Sequence, residues 1–89
     1  MTLTPIYTKK FAKDVDLAKR RGKDTEKLKK VMTALIHQLP LEPSYRDHLL
    51  TGNYRGRREC HIESDWLLIY QSDEESIIFE RTGTHSDLF

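Results

Sequence analysis

With 89 residues, of which 37% are hydrophobic and 33% charged, the chain has the length of one domain, taken as residues 1–89, and the composition of a folded globular protein. No apolar run approaches the ~18 residues that cross a bilayer, and the opening Met-Thr-Leu-Thr-Pro has no basic stretch leading into an apolar one. Neither a membrane partner nor a signal peptide is therefore expected, and Cys60, the one cysteine, fits a reducing cytoplasm. The net charge of +1 conceals a segregation: residues 1–30 hold ten Lys/Arg against four Asp/Glu, a balance of +6, and residues 31–89 hold five against ten, a balance of −5. A lysine-rich part is either a solvated helix face or an electrostatic footprint for a polyanion, and the later arginines suit bidentate phosphate contacts.

Leu3 to Tyr7, interrupted by Pro5, reads as an edge strand. Thr8 is a candidate N-cap for a helix carrying Phe11, Val15 and Ala18 at helical spacing, with Lys9, Lys10, Lys13, Lys19 and Arg20 around it and Gly22 at its end. Asp24 can cap a second helix whose apolar positions, Leu28, Val31, Met32, Leu35, Ile36 and Leu39, follow i, i+3, i+4, i+7, i+8, i+11, with Pro40 as the stop. The connection between the two is short, so a helix hairpin is expected. A long connection from Pro40 to Asn53 follows. Three strands then appear, Tyr54 to Ile62, Trp66 to Tyr70 and Ser76 to Arg81, with turns between them and a short tail from Thr84. The order β-α-α-β-β-β implies an α+β fold, an antiparallel sheet with the helix hairpin on one face and the other face partly open.

His48, His61, Asp65, Arg81 and His85 are the residues with chemistry to offer. His61 alternates with Cys60 and Ile62, so if those two pack on the helices it projects from the open face. Asp65 sits in the following turn, where capping backbone amides is its commonest use. Antiparallel pairing carries Arg81 and His85 back toward the Trp66 end of the neighbouring strand. Imidazoles, a carboxylate and a guanidinium on one rim are the set for metal-free RNA cleavage, with a base on the ribose 2′-OH, a cation on the phosphorane and an acid on the leaving 5′-oxygen. The spacings among the histidines and Asp65 match no compact ligand motif, so no metal or other cofactor is expected. Cys60 as a nucleophile is opposed by its strand position.

Lys13-Asp-Val-Asp-Leu-Ala18, Arg46-Asp47-His48, His61-Ile-Glu-Ser-Asp-Trp66, Leu68-Ile69-Tyr70 and Phe79-Glu-Arg-Thr-Gly-Thr-His85 with Leu88-Phe89 together resemble the YafQ branch of the RelE/ParE toxin superfamily over nearly the whole chain. The resemblance implies a small RelE-like toxin domain of a type II toxin–antitoxin pair, a ribosome-dependent endoribonuclease that cuts the codon in the aminoacyl site without a metal; YafQ-like members favour AAA. It implies roles in proton transfer and orientation for His48, His61, Asp65 and His85, in phosphate stabilisation for Arg81, in RNA positioning for Phe89, and in substrate contact for Trp66, whose ring reads equally as core. Which histidine is base and which acid stays open. The implied partners are a cognate antitoxin, mRNA, ribosomal RNA through Lys9, Lys10, Lys13 and Lys19, and operator DNA through the antitoxin. The alternative on the same scaffold is a ParE-like inhibitor of DNA gyrase that cuts nothing. Three departures from the family pattern stand out: Arg46 for a lysine, Leu49 after His48 for a proline, and Ser64 for a proline in the turn.

Overall fold

A computed structural model describes residues 2–89. Strand β1 (Thr4–Tyr7) leads to Thr8, whose hydroxyl accepts from the Phe11 amide and opens helix α1 (Lys9–Arg20). Gly22, at φ +79°, turns the chain as few other residues can. Asp24 accepts from the Glu26 amide to start α2 (Thr25–Ile36). This helix ends four residues before Pro40. Gln38 takes a left-handed conformation (φ 56°), and the Gln38 and Leu39 amides donate to the Leu35 and Ala34 carbonyls, the paired bonds of a Schellman ending. Leu39, expected on the buried stripe, is consequently 57% exposed.

The long connection carries a 3-10 turn at Pro43–Tyr45, a short strand β2 (His48–Leu49) and a second 3-10 turn at Gly52–Tyr54. Strands β3 (Arg58–Glu63), β4 (Trp66–Ser72) and β5 (Ser76–Gly83) form the expected meander, and the tail is a short helix α3 (His85–Leu88). The sheet order is β1-β5-β4-β3-β2. It is mixed rather than antiparallel, because β1 pairs with β5 in parallel. That direction delivers the chain at Tyr7 to the stretch of β5 that β1 leaves unpaired. Thr8 Oγ1 donates to the Glu80 carbonyl, Asp14 accepts from the Thr82 amide, and Arg21 pairs with Asp87, so α1 is laced along residues 80–87.

Both faces of β4 are buried. On the helix side Phe11, Ala18, Leu28, Val31 and Leu35 pack against Cys60, Trp66, Leu68, Tyr70, Ile77 and Phe79. Each such large apolar side chain contributes roughly 1.5–3 kcal/mol when withdrawn from water. The opposite face is less open than expected. Leu67 and Ile69 are fully buried there under Leu88, with Leu50 and Tyr54 packed alongside. What stays accessible on that side is a rim beside this second small core.

Candidate active site

Alternation along β3 turns Cys60 and Ile62 into the helix-side core, so Glu59 and His61 face the other way. Register places His48 of β2 directly opposite Glu59. The rings of His48 and His61 lie 6.4 Å apart between centroids, and those of His61 and His85 lie 5.8 Å apart, so three imidazoles form a row along the rim. His85 is the first residue of α3. Its backbone amide donates to Asp65 Oδ1 at 2.8 Å, and its ring Nδ1 lies 2.6 Å from the same oxygen. The His85 amide first, and then its ring, hold the Asp65 carboxyl below the usual carboxylate range. Asp65 thus uses its acceptor to fix a ring and leaves Nε2 of His85 outward.

At the other end of the row Glu59 is the anchor. Its side chain is only 7% exposed, with Oε2 3.2 Å from His48 Nε2 and 3.5 Å from His61 Nε2. Nδ1 of His48 lies 2.6 Å from the Arg46 carbonyl, so both ring nitrogens of His48 face acceptors. Behind it, Asp47 accepts from the Tyr70 hydroxyl at 2.8 Å and from Arg58 Nε at 3.1 Å, which pins the β2 segment to β3 and β4. Burial, then Asp47, pushes the Tyr70 phenol upward. The Cys60 thiol is pushed up to about 12 by burial, as befits a core residue rather than a nucleophile.

Arg81 lies one register step along the same sheet face: Glu59 and Arg81 both pair with Ile69, and His61 pairs with Leu67. Its guanidinium is held by Asp14, Nε to Oδ2 at 2.7 Å and Nη2 to Oδ1 at 3.1 Å, which keeps it firmly protonated. Phe89 is 63% exposed and meets Tyr54 edge-on at 5.3 Å; Tyr54 also donates to the Leu88 carbonyl. Trp66 departs from the expectation of substrate contact. It is 2% exposed, faces the helices, and its indole N–H donates to Thr82 Oγ1 at 3.0 Å. Core filling is what that geometry permits.

The family model for YafQ, a bacterial toxin of type II toxin–antitoxin systems, matches residues 3–89. The chain belongs to the YafQ family. It is 50% identical over 84 residues, 93% of this chain and 91% of the relative, to the mRNA interferase toxin YafQ of Escherichia coli. YafQ from the Escherichia coli DinJ–YafQ toxin–antitoxin complex superposes with a TM-score of 0.92 at 47% identity, covering 100% of this chain and 99% of that one. A metal-bound toxin from Helicobacter pylori superposes at 0.91 with 42% identity, covering 98% and 99%. The mixed sheet with three helices is therefore the YafQ architecture.

Within this YafQ-type chain, the rim gathers His48, His61, Asp65 and His85; Arg81 lies across β4 on the same sheet face, Phe89 follows α3, and Trp66 stays in the core. Lys9, Lys10, Lys13 and Lys19 are exposed on α1 and, among the described residues, join no ion pair. Among the described residues no group of three or more His, Cys, Asp or Glu is placed to share a metal ion. Glu59 and Asp47 are the site residues that sequence reasoning missed. The signal for Glu59 was present in its i, i+2 spacing from His61; Asp47 stood in the Arg46-Asp47-His48 motif, but nothing local gave it the part of an anchor.

Proposed function

We propose that this protein is an mRNA interferase, a toxin domain over residues 1–89 that cuts mRNA in the ribosomal aminoacyl site. The observation that carries this reading is the row of three imidazoles with a carboxylate at each end. One member of the row takes the ribose 2′-OH proton as the 2′-oxygen attacks phosphorus. Charge develops on the phosphorane oxygens, where Arg81 supplies a cation. A second member protonates the 5′-oxygen as its bond to phosphorus breaks, leaving a 2′,3′-cyclic phosphate. Asp65 orients His85, and Glu59 orients His48 and His61. The exposed Phe89 ring offers a stacking surface for RNA.

By likeness to YafQ in its DinJ complex, the partner of this toxin is an antitoxin that masks the rim and through which operator DNA is bound. The place of action is the cytoplasm; among the described residues no helix is long and apolar enough to cross a membrane. The test is to map cuts on a translated mRNA with wild type, His61→Ala and Arg81→Ala. Cleavage at codons is expected only with ribosomes, about 10²-fold or more weaker in His61→Ala at unchanged folding. Phenanthroline, which strips transition metals but leaves ribosomal magnesium, is expected to change nothing. Intact mRNA together with inhibited DNA supercoiling would replace this reading with gyrase inhibition.

A further inference from the structure

The 3-10 turn at Pro43–Tyr45 and the end of β3 enclose a cavity of about 440 Å³ whose walls include Ser44, Tyr45, Arg46, His61, Glu63 and Ser64. It opens off the histidine row, since His61 belongs to both. A volume many times the ~30 Å³ share of one water has room for a planar heterocycle. The lining has matching chemistry: the Tyr45 phenol ring, a guanidinium, two serine hydroxyls and an imidazole. Arg46 is exposed and, among the described residues, joins no ion pair, so its donors are available. Glu63, the one carboxylate on the wall, is neutralised by Lys23 and Lys27, each 2.9 Å away. Unstacked RNA bases are held by such sets, through stacking on aromatic or guanidinium planes and hydrogen bonds to their edges.

Resting on the reading of the rim as an RNA-cleaving site, we propose that this cavity seats the nucleobase adjoining the scissile phosphate and selects which codons are cut. Position separates this role from phosphate binding: with the phosphodiester on the imidazole row, the base borne by the adjoining ribose falls at the cavity. A bulky side chain from either wall, Ser44→Trp or Ser64→Trp, fills the cavity while every histidine keeps its own side chain, and Arg46→Ala removes the edge donors.

Two measurements test this. Non-cleavable 2′-deoxy trinucleotides of differing sequence are titrated into the protein and followed by amide NMR. Shifts that include residues 44–46 and 61–64 beside those of the histidine row, with affinity about tenfold weaker in both tryptophan variants, are expected. Cleavage maps on translated mRNA are expected to show the preference among codons altered about tenfold in Ser64→Trp and Arg46→Ala, with the least discriminated codons still cut. An unchanged codon ranking with uniformly lower rates overturns the proposal, as does a titration that leaves residues 44–46 unshifted. A wild type that cuts no mRNA defeats the enzymatic reading instead, and the titration still decides whether a base occupies the cavity.

Discussion

A carboxylate withdrawn from water is destabilising unless its oxygens are used, and Glu59, 5% exposed, has Oε2 facing the ring nitrogens of two histidines. The isosteric Glu59→Gln keeps the volume but removes the carboxylate charge and leaves one acceptor oxygen where two stood. Cleavage of translated mRNA is expected to fall about 10- to 100-fold with the melting temperature within a few degrees of wild type. Wild-type cleavage in that variant would reduce Glu59 to a packing residue. At the same scale His61 and Asp65 were legible, since strand alternation and the turn after it place them without knowing any partner. Trp66 was not: two residues from Ser64 in the turn, its side is set by the register shift between His61 and Glu63 in the β3–β4 pair.

At the scale of elements, the last helix decides where His85 points. Thr84 and Asp87 form a capping box, and Asp87 also pairs with Arg21 at 2.6 Å, tying α3 to the end of α1. Arg21, then the Thr84 amide, depresses the Asp87 carboxyl far below its ordinary range. A carboxylate depressed in the folded state stabilises it fully above the unfolded value of about 3.9, and that contribution is lost as pH falls through the folded value. Wild type is therefore expected to melt above Asp87→Asn at pH 7, with the gap closing below about pH 4 in thermal scans read by circular dichroism. An unchanged gap at pH 3 would show that the ion pair is not its source. Gly83 belongs to the same joint, because a Cβ there would lie 2.9 Å from Asp87 Oδ2; Gly83→Ala is expected to lower the melting temperature and loosen His85. The Thr84-x-x-Asp87 pattern was readable as a helix start, yet a four-residue helix has no periodicity to announce it. The end of α2 was misplaced for a related reason: a Schellman ending at Gln38 needs a left-handed residue, and glycine, its usual sign, is absent.

Over the whole molecule, the +6 balance of residues 1–30 sits largely on helices, and α1 is fastened along residues 80–87, the segment that carries Arg81 and His85. Basic charge thus borders the rim. Removing it in a Lys9, Lys10, Lys13, Lys19 to Ala variant is expected to weaken ribosome binding and to flatten its dependence on log salt by up to about three or four units of slope, since each contact releases counterions. An unchanged slope would mean that α1 faces away from ribosomal RNA. Composition, hydrophobic periodicity and caps determined the two longer helices, the meander and which titratable side chains a site could draw on, because these depend on neighbours within a few positions. Tertiary structure alone decided the parallel β1–β5 pairing, the second small core under Leu88, the burial of Trp66, and the contacts of Glu59 and Asp47. Those depend on which distant segments meet, and chain-local patterns carry no record of a partner as far as 72 residues away.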